Sequence, residues 1–294
     1  MPLRLACPAM GTRFELVLAG QREEHLRAAG QAALEEVRTL HGLWNAFARD
    51  SLVAHLARLA GSGSWTRVDP ETFELLELSR SVHAASEGAF HPLLAPLLES
   101  LGLRGEAGPD PEAATLDVEG LELDGDRQAV RLARAGMGLD LGGIAKGAAL
   151  DAAASVLEEE EVSCALLHGG TSTVLALEPP PGRPSWRVAV GSQPGAPVLE
   201  LAQSAMSVSA ARARVGSPEA GAHAHVVDPR TGHGTAGTRP AAVVRGPSAA
   251  LCDAWSTALV AGAAPALLPN DLDALLQEPD GSWSSSAAPT PLCS

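Results

Sequence analysis

The chain has 294 residues, and 46% of them are hydrophobic, enough for a sizeable core and too many for a disordered protein. Its formal net charge of −14 excludes a nucleic-acid surface, which needs clustered cations. Such a chain binds an anion only where its few cations, helix N-termini or a metal are gathered in one place.

Aromatic residues make up 3% of the chain and tyrosine is absent, so Leu, Val and Ala must fill the interior. The four cysteines, Cys7, Cys164, Cys252 and Cys293, form no CxxC or Cys/His spacing and read as small, reduced core residues. Met1–Cys7 holds no apolar stretch long enough for export, and no run approaches the roughly 18 apolar residues of a membrane span. The reading is a cytoplasmic protein as given, with a cell-envelope location if a leader was removed. The length suits a single domain over 1–294, with a frayed Ser/Pro-rich tail from about 279.

In chain order, Met10-Gly-Thr12 is a turn into a strand over 13–19, whose Phe14, Leu16 and Leu18 share a face. Residues 21–43 are helical, with Leu26, Ala29, Ala33, Val37 and Leu40 recurring at three or four. Asp50 or Ser51 caps a short helix to Leu59. Asp69, with Pro70 behind it, starts a helix to Ala85, and Phe90-His91-Pro92 follows Gly88 as an extended turn. Residues 103–118 are a loop. Residues 121–123 and 129–132 are strands about the turn Asp124-Gly125, and 138–141 is a short strand. A helix over 146–158 leads to a buried strand over 162–167. Beyond it the chain is mostly β, with candidate strands at 174–177, 186–190, 198–201, 206–209, 223–227 and 241–244, before a last helix over 248–262. Helices with many antiparallel-style turns predict an α+β fold of mixed sheets with packed helices.

Four stretches carry polar chemistry. Asp140-Leu-Gly-Gly-Ile-Ala-Lys-Gly147 holds Lys146, the one lysine of the chain, and Ile144, the one isoleucine. Two glycines before a helix start let backbone N–H groups approach a phosphate, and a cation at the positive helix end makes more sense facing an anion. The spacing is neither a P-loop nor GxGxxG, and a plain strand-to-helix turn is the alternative. In Cys252-Asp-Ala-Trp-Ser-Thr257, Asp253 and Thr257 stand at i and i+4. They either share a helix face able to hold a hard cation such as Mg2+, or are a cap and an ordinary helix residue. His223-Ala-His225-Val-Val-Asp-Pro-Arg-Thr-Gly232 offers a base and a partner carboxylate, or a turn with exposed histidines. His168-Gly169-Gly170, followed by Thr171-Ser-Thr173, is a ligand loop or a tight turn.

The order of these motifs resembles the ApbE family, the FAD:protein FMN transferases, over nearly the whole chain. Met10-Gly-Thr12 looks like the family's MGT, and Asp50-Ser51 stands at its DSE segment. Gly88-Ala-Phe-His-Pro92 is similar to GAFDP, Asp140–Gly147 keeps every position of DLGGIAKG, His225–Gly232 is similar to HIIDPRTG, and Asp253–Thr257 matches DAxxT. The resemblance implies a T-fold-related ApbE fold and cleavage of the FAD pyrophosphate in the presence of Mg2+. FMN would pass to a Thr or Ser of an acceptor flavoprotein, with release of AMP. Mg2+ would be held by the Gly143 carbonyl, Asp253 and Thr257. Met10, Phe47, Ala89, Phe90, His91, Asp140 and Lys146 would line the FAD site, with Gly169, Gly170, Arg230 and Thr231 completing it. His225 would be the general base toward the acceptor hydroxyl, supported by Asp228. The chain departs from the pattern at His91 for Asp, Phe47 for Tyr, Ala57 for Asn, Thr171 for Asp, and Ser207-Val-Ser209 for Thr-Ser-Gly. A FAD pyrophosphatase giving FMN and AMP, or a flavin-binding protein without turnover, is the alternative.

Overall fold

The computed structural model describes residues 2–20, 22–104, 116–191, 196–211, 226–235 and 239–286. Strand β1 (Leu3–Ala9) pairs with β2 (Thr12–Leu18) across Met10 and Gly11, both at positive φ (49° and 69°). That conformation suits a two-residue hairpin turn, and glycine takes its second position without strain. Phe14, Leu16 and Leu18 of β2 are buried on one face, as their alternation predicts.

The next two strands of the hairpin's sheet lie far along the chain. Between them come α1 (Glu23–Trp44), α2 (Leu52–Leu59), β3 (Thr66–Arg67), α3 (Pro70–Ala85), α4 (Ala95–Ser100), β4 (Leu121–Asp124), β5 (Ala129–Leu132) and α5 (Ala145–Glu159). Then β6 (Ala165–Gly169) pairs with β2, and β7 (Thr173–Ala176) with β6. A hairpin of β8 (Trp186–Ala189) and β9 (Val198–Leu201) precedes β10 (Ser204–Ala210), and β11 (Val227–Asp228) pairs with β12 (His233–Gly234). β13 (Ala241–Gly246), α6 (Ala249–Val260), β14 (Asp273–Gln277) and β15 (Trp283–Ser285) complete the order. The main sheet runs β1-β2-β6-β7-β10-β13-β14-β15 with every neighbour antiparallel. A small sheet, β3-β5-β4, stands beside α2. The α+β expectation holds.

Helix α5 packs against both α1 and α6, and all three pack against the main sheet. The core between them is Leu, Ala and Val, with Phe14 and Trp255 as fully buried rings. A smaller apolar cluster on the opposite face joins Val17, Leu166, Val174 and Met206 to Val188 and Leu199 of the β8–β9 hairpin. Ser51, Asp69 and Ser248 cap α2, α3 and α6, each accepting from the backbone N–H three residues on.

Several expected boundaries move for physical reasons. The strand expected over 162–167 begins at Ala165, because Val162 closes the C-terminus of α5. Its N–H donates to Leu157 O (2.8 Å), that of Glu161 donates to Glu158 O (2.9 Å), and Glu161 sits at φ 57°. Residues 138–141 make no strand: Asp140 N donates to Pro92 O (2.8 Å), which ties the segment to the His91-Pro92 turn. Strands β1, β3, β14 and β15 and helix α4 had no counterpart in the sequence reading. β15 lies in the stretch expected to fray, where Trp283 pairs with Gln277. Residues 223–225 of the strand expected over 223–227 lie outside the described residues; Val227 is in β11. No helix among the described residues is long and apolar enough to cross a membrane.

Candidate active site

Helix α6 is buried on nearly all sides, and Asp253 is its one charged residue. A carboxylate that is 2% exposed must be paired and hydrogen-bonded. Its partners come from three other elements. The Gly147 N–H of α5 donates to Oδ2 (3.2 Å), and Lys146 Nζ lies 3.3 Å from Oδ2 and 3.4 Å from Oδ1. Ser207 Oγ of β10 donates to Oδ1 (3.0 Å), and Thr173 Oγ1 of β7 is 3.4 Å from the same oxygen. Asp253 is therefore no helix cap. It is the point where α5, α6, β7 and β10 converge.

The convergence depends on how α5 and α6 meet. A Cβ on Gly147 would stand 2.1 Å from Ala249 O, so only glycine lets the two helix starts touch. Asp151, one turn further along α5, accepts from Ser248 Oγ (2.8 Å), Ala249 N (2.8 Å) and Ala250 N (2.9 Å), satisfying the orphan N–H groups at the start of α6. Burial pushes its carboxyl above the usual range, against those hydrogen bonds.

The loop before α5 is shaped by Asp140, whose Oδ1 accepts from Gly142 N (2.9 Å). Lys146 Nζ also reaches back to Gly142 O (3.2 Å). Gly143 packs on α6, with its missing Cβ 3.0 Å from Thr257 Cγ2, and Thr257 Oγ1 is 3.5 Å from Gly143 O. Ser209 Oγ joins Thr257 Oγ1 (3.2 Å) and Ser256 Oγ (2.8 Å). Gly143, Lys146, Asp253 and Thr257 thus meet at one junction. Among the described residues no group of three or more His, Cys, Asp or Glu side chains could hold a metal. A metal here would have one carboxylate, one hydroxyl and one carbonyl. These are hard oxygen donors that fit Mg2+ and leave room for waters and substrate oxygens.

The other expected site residues fall around this junction in smaller groups. The Met10 turn meets the Gly169-Gly170 turn: Gly170 sits at φ 71°, and a Cβ there would be 2.3 Å from Thr12 Oγ1. Ala89, Phe90 and His91 follow α3 and are buried. His91 Nδ1 accepts from Leu93 N (3.1 Å), so its proton is on Nε2, which donates to Leu116 O (2.7 Å). Burial first, and the neighbouring His83 second, lower its pKa to about 4. His91 is thus a neutral donor where an Asp would be an acceptor.

Asp228 accepts from Arg230 Nε (2.9 Å) and Nη2 (3.0 Å), and Arg230 Nη2 also reaches Ala261 O (3.2 Å) at the end of α6. The Arg230 side chain passes beside Gly88, and Thr231 is exposed in the same turn. His225 and His223 lie outside the described residues. Phe47 is 79% exposed and, with Ala57, Arg58, Leu139 and Arg104, lines a cavity of about 620 Å³.

Sequence reasoning missed Arg104, Asp151 and the pairing role of Thr173 and Ser207. Arg104 is 8% exposed, its guanidinium 5.5 Å from the Phe47 ring centroid and 3.5 Å from Asp140 Oδ2. Nothing local distinguishes it within its loop. Ser207 and Ser209 did carry a signal: they alternate with Met206 and Val208, which belong to the opposite apolar cluster.

A sequence model of the ApbE family matches residues 10–275. The chain is 31% identical over 273 residues to the FAD:protein FMN transferase of Rhodobacter capsulatus, covering 86% of this chain and 50% of that one. It is 32% identical over 230 residues to the FAD:protein FMN transferase of Treponema pallidum, covering 68% and 63%. The chain thus spans about half the length of the first of these curated relatives and less than two thirds of the second. The crystal structure of the ApbE protein of Thermotoga maritima superposes with a TM-score of 0.81 at 23% identity, over 97% of this chain and 96% of that one.

Proposed function

The chain belongs to the ApbE family, and on that premise we propose that it is a Mg2+-dependent FAD:protein FMN transferase. The reaction breaks the pyrophosphate of FAD, attaches FMN through a phosphoester to a Thr or Ser of an acceptor flavoprotein, and releases AMP. The relatives from Rhodobacter and Treponema carry that name. The observation that carries the reading is the junction of the Asp140–Gly147 loop with Asp253 and Thr257, which gathers a cation and hard oxygen donors in a protein of net charge −14.

Each residue has a task that follows from its chemistry. Lys146 and the glycine backbone at the start of α5 meet the pyrophosphate oxygens, where negative charge must be offset. Asp253, Thr257 and the Gly143 carbonyl hold Mg2+, which when bound supplies charge neutralisation on the phosphates and the departing AMP. Asp140 holds Gly142 and so shapes the loop. Met10, Ala89, Phe90 and His91, with Gly169, Gly170 and Thr231, form the walls around the dinucleotide, and Phe47 offers an exposed ring for stacking. His225 takes the proton of the acceptor hydroxyl as its oxygen attacks phosphorus. Asp228 acts by fixing the turn with Arg230, since that guanidinium engages both of its oxygens.

The test is incubation with FAD, with and without Mg2+ and with and without a Thr-containing acceptor, followed by mass analysis. The reading expects AMP only with Mg2+ and an FMN adduct on the acceptor. AMP and FMN without any adduct assign the pyrophosphatase instead. Tight FAD binding without AMP, unchanged in Asp253→Ala, removes both enzymatic readings.

A further inference from the structure

The donors around Asp253 are unequal in mobility. Ser207 and Thr173 are fully buried and 3.0 Å from each other, so neither can turn away. The Gly147 N–H is fixed by the backbone of α5 where it presses on Ala249. Lys146 differs: its side chain is 22% exposed, it ends in a flexible stem, and its ammonium already has a second acceptor in Gly142 O. A carboxylate offers roughly four lone-pair positions, and Ser207, Thr173, Gly147 and Lys146 already approach all of that capacity. A metal cation taking one of those positions would also face the Lys146 ammonium across the same two oxygens.

We propose that Lys146 and the metal ion are alternative partners of Asp253, so that Lys146 gives up the carboxylate as the metal takes it. This rests on the reading of Asp253, Thr257 and Gly143 as the metal site. Lys146 is then a positioning residue twice over. It keeps the buried carboxylate compensated without metal, and with metal its ammonium is free for the phosphate oxygens of the substrate. That explains a cation in the first turn of α5, where the helix dipole disfavours it. It also orders binding: the metal arrives, Lys146 is released, and the anion gains its cation.

Two measurements decide it. Mn2+ is titrated by electron paramagnetic resonance into the protein without FAD, for wild type, Lys146→Met, Lys146→Gln and Asp253→Asn, each checked for folding by circular dichroism. Both lysine variants should bind Mn2+ about ten-fold more tightly than wild type, the low end of what one adjacent opposite charge does to a carboxylate. Unchanged or weaker binding in the lysine variants, with binding lost in Asp253→Asn, overturns the exchange and leaves the metal site standing. Wild-type affinity in Asp253→Asn removes the metal site and the exchange with it.

The second measurement needs no variant, because Lys146 is the one lysine of the chain. An amine-reactive acylating reagent is applied with and without Mg2+, and the Lys146 adduct is measured against the N-terminal amine. Release from Asp253 should speed Lys146 labelling several-fold when Mg2+ is added. An equal or slower rate refutes the exchange.

Discussion

Replacing Gly147 with Ala isolates the contact that places Asp253 over the loop. The substitution adds one methyl in a helix interior, where propensity alone favours alanine by about 1 kcal/mol. Here the methyl carbon would stand 2.1 Å from Ala249 O, 2.4 Å from Ala249 C and 2.6 Å from Ala250 Cα. All three are backbone atoms, so no side chain can rotate aside, and an ordinary contact requires the start of α6 to move by over an ångström. That start is pinned by Asp151 on the same helix as Gly147, so the strain acts against three hydrogen bonds. Overpacking of this kind costs roughly 1–3 kcal/mol or more. With contacts this short the upper end applies, and after the propensity gain Gly147→Ala should lose about 2 kcal/mol. Urea unfolding read by tryptophan fluorescence gives the stability, and Mn2+ titration reads whether the junction at Asp253 is disturbed. A variant as stable as wild type, with unchanged metal affinity, would refute the claim that this contact sets the site.

Further outcomes follow from His91, Ser207 and Asp151. The pKa of His91 is lowered from 6.5 to about 4, so the unfolded chain binds the extra proton between those values. Stability should therefore fall as pH drops through that window, by roughly 3 kcal/mol at most. His91→Asn should remove this component of the pH dependence of the urea midpoint, and parallel curves for the two proteins would contradict it. His91→Asp should destabilise at neutral pH, because a carboxylate cannot donate to Leu116 O. Ser207→Ala deletes a buried donor to Asp253 and should cost about 1–3 kcal/mol, with Ser207→Thr recovering most of it in the same unfolding assay. Asp151→Ala, which strips the N-terminus of α6 of its acceptor, should cost about 2 kcal/mol; an unchanged midpoint would mean that water replaces the carboxylate at no cost.

What could be read from the chain was whatever is encoded locally. The 3.6-residue recurrence of Leu26, Ala29, Ala33, Val37 and Leu40 announces α1, and all five are buried. Ser51, Asp69 and Ser248 announce helix starts through the backbone N–H groups they accept. Strand β1 follows the strand alternation, with Leu3, Leu5 and Cys7 inward and Arg4, Ala6 and Pro8 outward, so its signal was present locally and only its pairing with β2 was not. The donors of Asp253 show the limit more sharply. Thr173, Ser207 and Gly147 lie 80, 46 and 106 positions from it, and no local spacing encodes such a meeting. Asp253 itself offered one clue. A lone carboxylate in an otherwise apolar helix requires partners, even before their identity is known.

Four of the departing positions fall in two neighbourhoods: Phe47 and His91 connect through Arg104 and Pro92 to Asp140, and Ser207 and Ser209 stand at Asp253 and Thr257. Phe47, which lacks the hydroxyl of a Tyr, lies under Arg104, and Arg104 also reaches Asp140 of the loop. His91, which replaces an Asp, donates to Leu116 O. Arg104 and Leu116 flank the same segment, one on each side of residues 105–115. The two substitutions therefore alter how Arg104 and Leu116 are anchored: a guanidinium over a ring at the first, a neutral imidazole on a carbonyl at the second. Both anchors are donors, and the imidazole replaces an acidic residue in a chain that is already strongly acidic. The residues proposed for the metal and phosphate, Gly143, Lys146, Asp253 and Thr257, keep the family's types and meet in one place. Change thus reaches the polar junction as well, where Ser207 donates to Asp253 and Ser209 meets Thr257, while Gly147 beside them tolerates no added methyl.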